Sequence, residues 1–205
     1  MVRGAAGQFL LNGMRAFLAI TLPADVSAAL EDLQRQLAQS RADVKWVERD
    51  NLHVTLKFLD EITGEQRQLI EPLLSRVAAQ TMPFTLSLSD VGAFPSMRAP
   101  RVIWVGIKEG KDIVVRLAQA IEREGEAMSL RREERPFASH VTLGRVRSPM
   151  HRDALAERLQ QVSWQSPDPW RVEAVTLYQS VLGPSGPRYT ALTEMPLGKL
   201  PSGDS

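Results

Sequence analysis

Apolar and polar positions follow two different periods along the chain, and the switches between them mark its elements. Arg15 to Thr21, RAFLAIT, is a mostly apolar run stopped at Leu22-Pro23, which predicts a buried strand. From Ala24 to Ser40 the apolar set Val26, Ala29, Leu30, Leu33 and Leu37 recurs with helical spacing. Val44 to Val47 predicts a short strand, Asp50-Asn51 a turn, and Leu52 to Leu59 a further strand. Thr63, with Gln66 three residues on, has the form of a capping box and opens a second helix to about Ala79. After Pro83, the apolar residues Phe84, Leu86 and Leu88 alternate with Thr85, Ser87 and Ser89, which predicts one strand with a wet face. A loop over 94–100 leads to a strand from Arg101 to Ile107 and a helix from Asp112 to Met128. The charged run 131–135 reads as a solvated loop before a strand that contains His140. A short helix at 151–161, a long strand from Arg171 to Val181, a turn over 183–187 and a last strand from Arg188 to Pro196 complete the order. Hairpins outnumber plausible parallel crossovers, so the pattern predicts an α+β fold of antiparallel sheet.

The 205 residues, 43% of them hydrophobic, suit one domain with a substantial core. Glycines 4, 7 and 13 interrupt the start, so residues 1–13 read as a disordered extension, 14–197 as one domain of two lobes, and 198–205 as a flexible tail. The net charge of +1 gives no bulk attraction to long nucleic acid or to an anionic membrane, so any basic site is local. There is no cysteine, which excludes disulfides, thiolate zinc sites and cysteine nucleophiles. With neither a secretory pattern nor a long apolar run, the expected location is cytoplasmic.

One tetrapeptide occurs twice: His53-Val54-Thr55-Leu56 and His140-Val141-Thr142-Leu143. These hold two of only three histidines. In a strand, residues two apart share a face, so each copy presents a histidine beside a threonine and turns Val and Leu to the core. Two imidazoles on either side of a cyclic phosphodiester can act as acid and base near neutrality. Two hydroxyls can hold its non-bridging oxygens, and Arg145 can add a forked contact. No metal is needed, and the sequence lacks the spacing of a metal-ligand set. A single histidine in a strand is more often structural. The identical repeat in a histidine-poor chain outweighs that reading, because packing does not require histidine at both places. His151 lacks the flanking pattern and reads as a surface residue at a helix start.

The chain resembles the two-histidine (2H) phosphoesterase superfamily, marked by paired His-x-Thr-x motifs. Within it, the chain looks like the RNA 2′,3′-cyclic phosphodiesterases, also called 2′–5′ RNA ligases. The resemblance runs from Met14 to Leu197 and includes Asn51 to Leu59, Gly92 to Pro95, Pro100 to Trp104, Arg135 to Phe137, His140 to Arg145, Leu177 to Ser180, and Tyr189-Thr190. It implies a bilobal α+β fold, with two antiparallel sheets forming a central cleft, helices outside and a pseudo-twofold. It implies metal-independent hydrolysis of RNA-terminal 2′,3′-cyclic phosphate to 2′-phosphate; reversible 2′–5′ joining of tRNA halves is a rival activity, and a monomer without cofactor is the expected form. His53 matches the proton donor to the leaving 3′-oxygen, His140 the proton acceptor from water, and Thr55 and Thr142 the phosphate-binding hydroxyls. Arg145 matches a substrate-binding arginine, and Phe17 is a candidate to stack on the terminal base. Alternatives are a phosphodiesterase for small cyclic phosphates such as ADP-ribose cyclic phosphate, and a catalytically idle RNA- or nucleotide-binding module. The chain departs from its relatives at Ser139, where proline often stands, and at Asp60, where many have glycine.

Overall fold

The computed structural model describes residues 13–198 except 129, 135 and 185. The extension read at 1–13 and the tail read at 198–205 lie outside these residues, apart from Gly13 and Gly198. In chain order the described elements are β1 (Met14–Thr21), α1 (Ala24–Ala38), β2 (Val44–Trp46), β3 (His53–Ile62), α2 (Gly64–Ala79), β4 (Phe84–Leu86) and β5 (Leu88–Phe94). Then follow β6 (Val102–Ile107), α3 (Lys111–Ala127), β7 (His140–Val146), α4 (Arg152–Gln161), β8 (Trp170–Val172), β9 (Ala174–Gly183) and β10 (Gly186–Pro196).

The fold is α+β, as the pattern predicts, with two antiparallel sheets, as the resemblance implies. The larger runs β10-β9-β1-β3-β7-β6-β5, with β2 also paired to β7; the smaller is β4-β8. The two lobes are the two halves of the larger sheet. They meet where β3 touches β7 at one residue pair, Val54 with Val141. These are the second residues of the two tetrapeptides, so the seam between the halves passes through both copies.

The helices form because each buries one stripe. In α1, Val26, Leu30, Leu33 and Leu37 are fully buried. The capping box of α2 is present: Gln66 N donates to Thr63 Oγ1 at 3.2 Å, and Thr63 N donates to Gln66 Oε1 at 2.9 Å. Side chains from α1 reach β7, and side chains from α3 reach β3, so each of these helices serves the other half of the sheet.

Two expected strands are each broken in two. The strand read from Phe84 divides at Ser87 into β4 and β5, and the one read from Arg171 divides at Glu173 into β8 and β9. Both breaks have one cause. β4 and β8 leave the large sheet to pair with each other, while β5 continues beside β6 and β9 beside β1. The backbone at Ser87 is satisfied by the residues after β6: its O accepts from Lys108 N at 2.9 Å and its N donates to Glu109 O at 3.3 Å, while its Oγ accepts from Glu109 N at 3.1 Å. Among the described residues, no helix is long and apolar enough to cross a membrane.

Candidate active site

The alternation of each tetrapeptide holds in the fold. Val54, Leu56, Val141 and Leu143 are buried in the core, while His53, Thr55, His140 and Thr142 are half-buried on the other face. Antiparallel counting from the Val54–Val141 pair sets His53 opposite Thr142 and Thr55 opposite His140. The imidazoles thus take diagonal corners of a four-residue patch and the hydroxyls the other two.

Both rings are held in the same way. His53 Nδ1 lies 2.8 Å from Asn51 O, and His140 Nδ1 lies 2.6 Å from Ala138 O. A carbonyl can only accept, so each Nδ1 carries hydrogen and each Nε2 is left for chemistry. Thr55 Oγ1 is 2.9 Å from His53 Nε2, so its hydroxyl donates to the neutral ring and accepts from the charged one. Each ring also meets an aromatic edge-on with centroids 5.5 Å apart: His53 on Tyr189, and His140 on Phe94.

Burial pushes both imidazoles below their usual pKa, partly opposed by the bonds to Asn51 O and Ala138 O. Repulsion between the rings lowers His53 further, and Arg145 lowers His140. The free site therefore disfavours two charged imidazoles at once.

A β-bulge falls at the last residue of each histidine motif. Along β1 and β3, Leu18 faces Lys57 and Ala19 faces Thr55, so Leu56 has no partner on β1. Along β6 and β7, Ile103 faces Gly144 and Trp104 faces Thr142, so Leu143 has no partner on β6. In a regular strand, a residue five beyond a histidine would face the core. The extra residue reverses that parity, so the fifth residue returns to the histidine face. In β7 this residue is Arg145, which is exposed and acts on both His140 and Tyr189. In β3 it is Phe58, 58% exposed and paired across the strands with Phe17.

Phe17 requires a correction. The sequence made it a candidate to stack on a base, but it is only 3% exposed. Its strand is central, and its ring packs against Tyr178, Tyr189 and His53 at centroid distances of 5.3, 4.7 and 4.7 Å. It packs beside His53 and, although it lines the cavity on that side, offers little open surface to a base. The sequence reading missed Tyr178, Tyr189 and Asn51 as site residues. A signal was available for the tyrosines: the chain has two, and both fall on the last hairpin.

A cavity of about 300 Å³ opens on the His53 side. Arg49, Asn51, His53, Tyr178 and Tyr189 are among its lining residues. Asn51 Nδ2 donates to Pro187 O at 2.8 Å and so ties the β9–β10 hairpin to the segment that enters β3. His151 is exposed at the start of α4, as expected, and is apart from the motif pair in the fold.

The family model of the LigT-like phosphoesterases matches residues 20–104 and 105–189, one tetrapeptide in each segment. This chain belongs to the LigT-like phosphoesterases. Curated relatives of this LigT-like chain include RNA 2′,3′-cyclic phosphodiesterases of Methanothermobacter thermautotrophicus and Archaeoglobus fulgidus. Each is 35% identical; the alignments cover 86% of this chain and 95% of the first relative, and 87% and 98% for the second. Among solved LigT-like structures, a Thermus thermophilus protein superposes with a TM-score of 0.75 at 30% identity, covering 90% of this chain and 98% of that one. E. coli LigT in complex with 3′-AMP gives 0.73 at 28% identity, covering 91% and 99%.

Proposed function

We propose that this LigT-like phosphoesterase hydrolyses the 2′,3′-cyclic phosphate at an RNA 3′ end to a 2′-phosphate. The observation that carries this reading is the diagonal pair of imidazoles, each with Nδ1 held by a carbonyl and Nε2 turned to the shared face, where that of His53 meets the Thr55 hydroxyl. The names of the curated relatives point to the same substrate.

The cyclic phosphate sits over the seam between Thr55 and Thr142, whose hydroxyls donate to its non-bridging oxygens. Arg145 adds a charge-assisted contact. Neutral His140 takes a proton from water through Nε2, and the water oxygen attacks phosphorus. Charged His53 gives its Nε2 proton to the departing 3′-oxygen on the opposite side. The P–O3′ bond breaks and the phosphate stays on O2′. Mutual repulsion favours a singly charged pair, which is the state that this division of labour requires. The bound phosphodiester is anionic and raises the imidazole pKa values on binding, so the acid is charged in the complex.

The leaving oxygen belongs to the terminal ribose, so the nucleoside lies on the His53 side. The cavity is on that side, and Tyr178 and Tyr189 line it. The stacking role expected of Phe17 passes in this reading to these tyrosines and to exposed Phe58. Both histidines come from one chain, which supports a monomer as the working unit, and the cysteine-free composition suits a cytoplasmic enzyme.

The test is turnover of an RNA ending in 2′,3′-cyclic phosphate by the wild type, His53→Ala and His140→Ala. Each variant is expected to lose about 10²- to 10⁴-fold in kcat. Unchanged rates in folded variants would refute the assignment.

A further inference from the structure

At the bulge, Leu143 carries a buried carbonyl. Two donors meet it: Val47 N at 2.8 Å and Gln34 Nε2 at 2.9 Å. Gln34 lies on α1, is 5% exposed, and also donates to Val47 O at 2.8 Å. One buried amide therefore joins the end of β2 to the bulge. Gly144 follows directly, and a Cβ there would come within 2.8 Å of Val44 Cγ1 and 2.9 Å of Trp46 Cε3. β2 is thus pressed against the bulge from one side while Gln34 holds it from below. The first half has a counterpart. Lys57, the residue after the bulge at Leu56, is held by Glu122 of α3 at 2.6 Å. In each half, a polar side chain from the helix that crosses over from the other half holds the bulge segment.

A buried glutamine among leucines is costly unless its amide is used. Here it is used on two carbonyls, Val47 O and Leu143 O, and the second belongs to the bulge residue that turns Arg145 to the histidine face. We propose that Gln34 is a positioning residue, which fixes the Leu143 bulge and so holds Arg145 over the phosphate site. This rests on the reading of Arg145 as a phosphate ligand given above. Gln34 touches no substrate, and its effect passes through Arg145.

A double-mutant cycle tests this. Gln34→Met keeps the volume and removes the donor. It is expected to lower kcat/KM on a cyclic-phosphate RNA about five- to tenfold, mainly through KM. Arg145→Ala is expected to cost about 10²-fold. The double variant is expected to match Arg145→Ala within about twofold, because the glutamine has nothing left to position. Losses that multiply, or a folded Gln34→Met variant with unchanged KM, would overturn the proposal. If Gln34→Met does not fold, Gln34→Asn keeps the amide, shortens its reach by one methylene, and enters the same cycle. The cycle is repeated with inorganic phosphate affinity by calorimetry, which needs no turnover. A wild type that binds phosphate but hydrolyses nothing would sink the proposed activity, while the phosphate cycle would still decide the role of Gln34. A wild type that does neither would overturn both.

Discussion

Asn51→Ala separates the support of His53 from its chemistry. The Asn51 backbone carbonyl still receives His53 Nδ1–H in the variant, so the tautomer is kept. The side-chain bond to Pro187 O is lost. A net hydrogen bond contributes about 1 kcal/mol, and an orphaned buried acceptor costs about 1–3 kcal/mol. Pro187 is half-buried, so water offsets part of that cost. The expected loss is about 1–2 kcal/mol, or roughly 2–8 °C in Tm for a chain of this size. The β9–β10 hairpin then loosens, and Tyr189 lies on that hairpin against His53. Water reaches the ring, and the desolvation that lowers its pKa is relieved. Under the proposed roles the proton on His53 is needed for turnover, so the alkaline limb of the kcat/KM profile moves to higher pH. The acid limb, set by the need for neutral His140, stays in place. The assay is a pH series from 5 to 9, with thermal melting alongside. A stable variant with both limbs unmoved would refute the link from Asn51 through the hairpin to His53. Movement of the acid limb alone would reverse the two histidine roles.

Four further outcomes follow from the same structure. Both imidazoles have lowered pKa values, so the native chain binds fewer protons than the unfolded chain below about pH 6.5. Their contribution to stability is complete above that pH and is lost as pH falls through their depressed native values; His53→Ala should therefore show a shallower acid decline in denaturant titrations. Lys57→Met breaks the pair with Glu122, whose lysine side chain is 2% exposed. It should destabilise by about 2–4 kcal/mol, below the fully buried limit because Glu122 is partly open to solvent. Gly144→Ala forces β2 away from the bulge and should cost about 1–3 kcal/mol, read from the denaturant midpoint. Asp60 has φ of +54° and pairs with Arg131 at 2.6 Å across an exposed surface. Asp60→Ala should be less stable than Asp60→Gly by about 1 kcal/mol, since the pair is lost in both and only glycine fits the left-handed backbone freely.

The sequence pattern recovers the elements whose periods are undisturbed. Helices α1 to α4 and the two tetrapeptide strands lie within a few residues of their expected bounds, because each buries a regular stripe. The pattern does not reveal the breaks at Ser87 and Glu173, since a strand that changes sheets keeps its alternation of buried and wet positions. Nor does it reveal the bulges at Leu56 and Leu143. His-Val-Thr-Leu alternates regularly, and the extra residue appears only when its partners on β1 and β6 are counted. The face that carries both His-Thr pairs could be foreseen from two copies of four residues. Strand spacing alone does not put Arg145, which the motif already marks as a phosphate contact, or Phe58 on that face, because regular alternation assigns both to the core. Phe17 was misread for a related reason: its aromatic ring suggested a base platform, while its central strand sets it beside His53. Asp60 stands out in sequence only as a departure from glycine; the positive φ explains why glycine suits that position.

The central claim is that His53 and His140 open the P–O3′ bond of a terminal cyclic phosphate without help from a metal. The most direct measurement is product analysis. A short RNA ending in 2′,3′-cyclic phosphate is incubated with the full chain in the presence of EDTA, and the position of the phosphate in the product is determined. A 2′-phosphate is the expected result. A 3′-phosphate, or no hydrolysis by a folded sample, would contradict it.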